Sequence, residues 1–537
     1  MIHFRDSQQL LINSLKNLAI CFGVETQKSF FPYTFVNENN LNYIGNVPDL
    51  KYFDKVSKKD YNKYSEQYFN NWNLKEETEK YNIIDCVSLY EIIIKFNNMI
   101  FDLFKINIHK YPTLSSLAFA IFRTHFLKKD EIPQLSGQIA KDIRQSYTGG
   151  AVDMYIPTNE ENTKIYAYDV NSLYPAQMEN NFMPIGRPIF FKGDVRISDP
   201  NAFGFFYCKI IAPDNLEHPI LQTHVKIGND TRTIAPLGEW YDMLFSPEMD
   251  NAIKYGYRFE ILWGYKFQHK ILFKNYVQCL YNLRSKFDKS NPLNYTAKLL
   301  LNSLYGRFGM IDSFPDITIF NSEKSYSKFM KDHAEEVMKI VELGDKILIQ
   351  HRSNEKDQQT ELYGNLETHN VSIVIAAAIT AYARIHMSQF KNNSNYNLYY
   401  SDTDSIYIDK PLNKSLVNNK VLGLMKLENV LNKAIFLAPK MYYFETIEGD
   451  IVYKVKGLKH EVELTKLDFE NLLIKQSILE KFQDKWIRNI SDGNIQVRND
   501  LYTLQVTNNK RELIFNENNK LISTKPYKIA DKDIVKV

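Results

Sequence analysis

Between Leu398 and Ile408 the chain reads LYYSDTDSIYI, and this stretch constrains the fold more than any other. Two runs of aliphatic and aromatic residues flank a short polar turn, the pattern of a β-hairpin. Asp402 and Asp404 then sit together at its tip. Two carboxylates so close repel each other unless a cation compensates. A solvated turn is the plain alternative, because Asp is common in turns.

Two further segments carry polar residues in an ordered pattern. KIYAYD, residues 164–169, reads as a short strand ending in Asp169, followed by Val170-Asn171-Ser172-Leu173-Tyr174-Pro175. Taken alone, an Asp at a strand end is unremarkable. In Lys298–Gly309, helical spacing puts Lys298, Asn302 and Tyr305 on one face, with Gly306 one residue beyond. That face offers a cation for phosphate, an amide and a flat ring. Leu300, Leu301 and Leu304 form the opposite, core face. Phosphoryl transfer needs two hard cations roughly 3.5–4 Å apart. Mg²⁺ takes few carboxylates and completes its shell with phosphate and water. Asp169 and Asp404 on neighbouring strands would suit such ions, with Lys298 holding a triphosphate.

Bulk composition limits the alternatives. The 66 basic and 63 acidic residues leave a net charge of only +3, so any phosphate-binding surface has to be a local patch. With 44% hydrophobic and 24% charged residues, the chain is an ordinary globular sequence rather than a disordered one. Cys21, Cys86, Cys208 and Cys279 form no CxxC pair and are expected to be reduced and mostly buried. Residues 1–10 show no secretory pattern, and the apolar run 371–383 is short for a bilayer and meets Arg384. No membrane partner is expected. Abundant Asn, Lys, Ile and Tyr fit an AT-rich coding genome such as an organelle's.

Along the chain, residues 1–145 read as mixed α/β, with helical spacing at 10–22 and 81–101. Residues 201–238 are β-rich. Residues 273–306 are helical with a break near Ser290-Asn291-Pro292, and 371–390 form a buried helix. Residues 321–365 look charged and irregular. The tail after 460 begins helically and turns to strands after Ser491-Asp492-Gly493.

The three segments, in this order, resemble motifs A (DxxSLYP), B (KxxxNSxYG) and C (YxDTDS) of family B DNA polymerases. Tyr147-Thr148-Gly149-Gly150 is similar to the family's YxGG motif, Lys440-Met441-Tyr442 to its KxY motif, and Lys456-Gly457 to a later Lys-Gly element. Pro175-Ala176-Gln177-Met178 and the short interval from Asp169 to Lys298 resemble the protein-primed subgroup, which serves phages, adenoviruses and linear plasmids of fungal and plant mitochondria.

The resemblance implies a multi-domain α/β right-hand polymerase with a partial ribonuclease H-like exonuclease domain at the N-terminus. It implies an exonuclease-like domain at 1–145, a palm at 146–185 and 366–460, and a terminal-protein-region-like insertion with a palm-associated segment at 186–270. Fingers would occupy 271–309, a second insertion 310–365 and a thumb 461–537. Asp169 and Asp404 would hold two Mg²⁺ ions, for which Mn²⁺ could substitute, with Asp402 as auxiliary catalytic carboxylate. Tyr174, Arg284, Lys286, Lys298, Asn302 and Tyr305 would bind the deoxynucleoside triphosphate. Tyr147, Gly149, Gly150, Ser172, Gly306, Lys440, Tyr442, Lys456 and Gly457 would line template and primer DNA. A terminal protein would prime synthesis, and the protein would act in the mitochondrion, otherwise in the cytoplasm.

The chain departs from the family at its start. Tyr81-Asn82-Ile83-Ile84-Asp85 resembles the third exonuclease motif, YxxxD, yet no DxE precedes it. The chain is therefore expected to begin inside that domain, to be truncated at its N-terminus, and to lack proofreading, with Tyr81 and Asp85 a residual motif. A catalytically inactive remnant of a plasmid polymerase that still binds DNA is the alternative reading.

Overall fold

The computed structural model describes residues 5–26, 29–37, 39–54, 56–129, 131–227, 230–310, 316–334, 337–351, 371–459, 462–489, 494–529 and 534–536. It divides into two compact units, Met1–Lys128 with Asn275–Leu304, and Lys129–Lys274 with Tyr305–Val537.

The first unit is helical. Its longest element, Leu74–Phe104, starts where Asn73 accepts hydrogen bonds from the Lys75 and Glu76 amides, with Glu76 and Glu77 in the first turn. That placement satisfies free N–H groups and suits the helix dipole. Ile92, Phe96, Ile100 and Phe104 recur every fourth residue and are all buried, and Phe96 meets Phe22 of the helix Leu15–Phe22 edge to face. The expected mixture of strands and helices over 1–145 is corrected here. Among the described residues up to the helix Gly137–Arg144, strands are limited to the short pair Ile44–Gly45 and Trp72–Asn73. Phe35 and Tyr43 pack as a ring cluster against the fully buried Trp72.

The second unit is built on an antiparallel sheet of seven strands. In chain order these are β1 (Val152–Met154), β2 (Ile165–Val170), β3 (Leu398–Asp402), β4 (Ser405–Ile408), β5 (Met425–Ala438), β6 (Met441–Thr446) and β7 (Ile451–Val455). Their spatial order is β7-β6-β5-β2-β4-β3-β1. Each face of the sheet is covered. On one, the helix Ile373–Lys391 brings Ala383, Met387 and Phe390 against Tyr168, Val170, Ile406 and Ile408. This helix is long and apolar enough to cross a membrane, but 83% of its most apolar window is buried inside the protein, so it serves as a core helix. On the other face, Ile165, Tyr400 and Phe436 pack with Leu504 and Leu521 from the tail. Burying each such large side chain contributes roughly 1.5–3 kcal/mol.

Three sequence expectations change. Residues 316–334 and 337–351 are regular: the strands Asp316–Phe320, Val337–Leu343 and Lys346–His351 form a small sheet beside the helix Glu323–His333. Charged residues between short apolar runs hid its two-residue period. Within the expected insertion 310–365, residues 311–315, 335–336 and 352–365 lie outside the described residues. The tail turns to strand earlier than expected, in the hairpin Ile478–Asn489 with Asn494–Gln505; Ser491–Gly493 themselves are outside the described residues. Ile478, Phe482 and Trp486 recur every fourth residue, a spacing shared by one face of a helix and one face of a strand. Finally, only Cys208 among the four cysteines is buried, while Cys86 and Cys279 are exposed on helices.

Within the region 183–270, Met183–Lys192, Gly204–Ile211, Leu237–Phe245 and Arg258–Lys270 form a second antiparallel sheet. The tail completes it, because Lys528–Ile529 pairs in parallel with the start of Leu237–Phe245. The described part of 461–537 contributes a hairpin and, after it, further strands. Its hairpin stands beside β7, and its last strands join the two sheets.

Candidate active site

The hairpin β3–β4 carries the acids as the sequence implies. Asp402 ends β3 and pairs with Ser405, and Ser405 in turn pairs with Asp169 on β2. The Val170 amide donates to the Asp404 carbonyl at 2.8 Å. Asp169 on β2 thus lies opposite Ser405, and Asp404 sits in the turn one residue before it, one place out of register. Burial, aided by the Asp402 charge, pushes the Asp404 carboxyl above its ordinary value, against its own backbone amide and Lys440. A half-buried acid held in this way favours an added cation. Among the described residues no set of three or more His, Cys, Asp or Glu converges. A pair of carboxylates nonetheless suits Mg²⁺, which is bound by one or two carboxylates plus phosphate oxygens and water.

The turns are held in strained conformations. Thr403 at the hairpin tip has φ +57°, and Ser172 after Asp169 has φ +51°. Such left-handed non-glycine residues persist where surrounding contacts over-determine them. Thr403 N–H donates to the Ala151 carbonyl at 2.9 Å. Asn171 donates through Nδ2 to the carbonyls of Val421 (3.1 Å) and Leu424 (3.0 Å), fixing the turn after β2. Gly150 lies so close under Thr403 that a β-carbon there would collide with the threonine side chain.

Beside the acids, Tyr174 and Tyr305 stack with ring centroids 4.1 Å apart and planes 19° apart. Burial raises the pKa of both phenols, and the charge of Asp404 adds to each. Tyr147 contributes to the same cluster electrostatically, and Gly309 is packed against its hydroxyl with no room for a side chain. Three segments far apart in sequence therefore bring an aromatic pair to the edge of the acidic turn.

Residues 1–397 match the family described as DNA polymerase type B, organellar and viral. The chain belongs to this family. The "Probable DNA polymerase" of Ascobolus immersus is 38% identical over 550 residues, covering 99% of this chain and 44% of that protein. That of Neurospora intermedia is 38% identical over 522 residues, covering 93% and 52%. The DNA polymerase of Bacillus phage Nf is 26% identical over 341 residues, covering 59% and 53%. The chain thus spans about half the length of these curated relatives. Among solved structures, phi29 DNA polymerase complexed with primer-template DNA and incoming nucleotide superposes with a TM-score of 0.63 at 18% identity, covering 94% of this chain and 80% of that one. The shared architecture is the right-hand polymerase fold.

The other motif positions are placed as follows. Lys440 has φ +60°. Its Nζ donates to both oxygens of Asp402, at 2.9 and 2.7 Å, and its amide donates to the Tyr400 hydroxyl at 2.8 Å. The KxY lysine and the first acid of the hairpin are therefore partners of each other. Tyr442 stacks on Phe444 and meets Tyr400. The Lys456-Gly457 turn is tied to the tail hairpin: Gln483 Nε2 donates to the Gly457 carbonyl at 3.0 Å, and the Tyr502 hydroxyl donates to the Lys456 carbonyl. On the helix Pro292–Phe308, Lys298, Asn302 and Gly306 are exposed, while Leu300, Leu301, Leu304 and Phe308 are buried. Open space surrounds Gly306. Arg284 is half-buried and Lys286 exposed. Asn294 ties the turn between the two helices by donating to the carbonyls of Arg284 and Phe287, both at 2.9 Å. Tyr81 meets the Tyr33 hydroxyl, and the charge of Asp85 acts on it.

Sequence reasoning missed Arg384. It is buried in the core helix and forms a bidentate pair with Glu248, Nε to Oε1 at 2.7 Å and Nη2 to Oε2 at 2.8 Å. Its Nη1 donates to the carbonyls of Thr148 (2.6 Å) and Gly149 (3.3 Å), and Gln222 also donates to Gly149. Arg384 therefore fixes the Tyr147–Gly150 loop beside the hairpin. A lone arginine in an otherwise apolar helical run was the available signal, since buried charges are retained only with partners.

Proposed function

We propose that this chain carries the polymerising centre of a DNA-directed DNA polymerase that adds deoxynucleotides by two-metal phosphoryl transfer, in protein-primed replication of a linear DNA element. The observation that carries this reading is the placement of Asp169 on one strand beside Asp404 in the turn that opens the neighbouring strand, with the Tyr174–Tyr305 stack beside them.

In this reading the two carboxylates hold two Mg²⁺ ions, or Mn²⁺ in their place. Those ions, when bound, supply the charge that activates the primer oxygen and steadies the leaving phosphate. The protein's own part is positioning. Tyr174 and Tyr305 form an apolar wall for the incoming sugar, with Tyr174 excluding a 2′-hydroxyl. Lys298, Asn302, Arg284 and Lys286 serve the triphosphate from the helices between 271 and 309, the fingers. Asp402 and Lys440 neutralise each other, which places the KxY segment against the hairpin where a primer end would lie. Tyr147, Gly149, Gly150, Ser172, Gly306, Tyr442, Lys456 and Gly457 line the DNA. The palm comprises 146–185 and 366–460, the insertions 186–270 and 310–365, and the thumb 461–537. Residues 1–145 act as an exonuclease-like scaffold in which Asp85 alone cannot support proofreading. A terminal protein as primer and a mitochondrial location follow the family's organellar and viral membership.

The test is extension of a labelled primer on a defined template with Mg²⁺ or Mn²⁺. Template-directed addition that disappears in Asp404→Ala supports the reading. A folded wild-type chain that binds the DNA but adds no nucleotide with either metal refutes it.

A further inference from the structure

Behind the catalytic hairpin lies a buried group of charges that the polymerase reading does not use. Ser401 precedes Asp402 on β3, so its side chain points to the opposite face of the sheet. It is buried, and it pairs in register with the buried Asp153 on β1. The Ser401 hydroxyl lies 3.4 Å from that of Tyr155. The Arg511 guanidinium sits 4.9 Å over the Tyr155 ring, and the His218 ring meets it edge to face at 4.4 Å. Lys391, at the end of the core helix, is 6% exposed. Burial lowers its pKa, with Asp153 the main opposing charge. A cavity of about 10 Å³, the size of one water, is lined by Lys391, Arg384, Ser401 and Thr403.

The tail closes this group. Arg511 Nε donates to Thr524 Oγ1 at 2.9 Å, and Nη2 donates to the Glu217 carbonyl at 3.0 Å. Thr524 in turn donates through Oγ1 to the Met154 carbonyl at 2.9 Å and through its amide to the Tyr155 carbonyl at 3.1 Å. β1 ends the seven-stranded sheet, and its open carbonyls would otherwise face solvent. Arg511 and Thr524 therefore do more than cover apolar surface. They fix β1 and Tyr155, against which the hairpin strand β3 is registered.

We propose that Arg511 and Lys391 are positioning residues for the Asp402–Asp404 hairpin. They act from behind the sheet through Tyr155, Asp153 and Ser401, so that the last segment of the chain sets the geometry of the acids. The kinetic part of this inference rests on the polymerase reading; the structural part does not.

The experiment compares Arg511→Met, Arg511→Lys, Lys391→Met and the control Leu521→Ala, which weakens the same tail hairpin from a purely apolar site. Amide hydrogen exchange at 401–405 is read on the full chain, together with kcat and KM for nucleotide. For Arg511→Met and Lys391→Met, exchange at 401–405 should quicken and kcat should fall about 10- to 100-fold, the scale of a small misplacement of catalytic groups. KM should hold within about twofold, since uniform binding is untouched. Arg511→Lys keeps the charge without the flat stacking surface and should recover part of the loss. Leu521→Ala, at a temperature giving equal fractional stability, should leave both readouts near wild type. The inference is overturned if Leu521→Ala reproduces the loss, or if Arg511→Met leaves exchange at 401–405 unchanged. Should the wild-type chain fail to extend primers, the exchange comparison still decides the inference, while the polymerase reading falls separately.

Discussion

Two acid-bearing segments of this chain can be set side by side. The first is the hairpin β3–β4, where Asp404 stands next to Asp169 of a neighbouring strand, Asp402 is paired with Lys440, and an aromatic stack borders the group. The second is the helix Leu74–Phe104, where Asp85 lies a turn after Tyr81, whose hydroxyl meets that of Tyr33. Both match short motifs of the same family. The first motif is completed by strands from distant parts of the chain, whereas the second has a single carboxylate. The difference teaches that a carboxylate becomes a candidate for metal chemistry through the neighbours that the fold delivers. A sheet delivers them well because its register fixes which residues lie side by side.

The comparison is broken most directly at Asp404. We expect Asp404→Ala to lower nucleotide addition by at least about 100-fold while DNA binding, carried by basic residues elsewhere, persists in a gel-shift assay. Retained addition would remove the hairpin's special standing. The same acid has a stability signature. Its folded-state pKa is raised, so ionisation costs stability that is present at low pH and lost as pH rises through the folded value. Asp404→Asn should therefore raise the thermal midpoint of the metal-free protein at neutral pH, and the gain should shrink when pH falls below the ordinary carboxylate range.

The loop beside the hairpin depends on a buried ion pair. Arg384→Met strands Glu248, whose side chain is 6% exposed, and should cost about 3–5 kcal/mol in denaturant unfolding. A loss below about 1 kcal/mol would mean the pair behaves like a surface contact. Tyr174→Val should open the sugar wall and raise ribonucleotide use in single-nucleotide incorporation. Unchanged discrimination would leave Tyr174 with a packing role only.

The Lys440–Asp402 pair is smaller in its effect on stability. Lys440 is 41% exposed, so Lys440→Ala should cost under about 1 kcal/mol. Any larger change should appear in KM for primer, not in the unfolding midpoint. At the other end of the comparison, Asp85→Ala should change nothing. A labelled single strand with Mg²⁺ and no nucleotide should stay intact with either protein. Degradation from the 3′ end that Asp85→Ala abolishes would place a working second metal site on the helix and erase the contrast drawn here.

Much of the site could be read before any fold was known. The acid-bearing turns, the polar face of Lys298–Tyr305 and the buried helix were all set by local pattern: apolar runs flanking a polar turn for β3 and β4, a short strand ending in Asp169 for β2, and i, i+4, i+7 spacing for the polar helix face. Local patterns misled where one spacing serves two structures, as with Ile478, Phe482 and Trp486, or where charges interrupt short strands, as at 316–351.

What the sequence by itself determined was the chemistry on offer: two acids at strand ends, two tyrosines fixed beside turns, and a cationic helix face. Whether those groups meet was decided only by tertiary structure, because the partners lie far apart in the chain. Asp169 finds Asp404 through strand pairing, Arg384 finds Thr148 and Glu248 through helix packing, and Arg511 reaches Tyr155 from the tail. Local periodicity fixes which face of a strand or helix a side chain occupies, but not which distant face will pack against it.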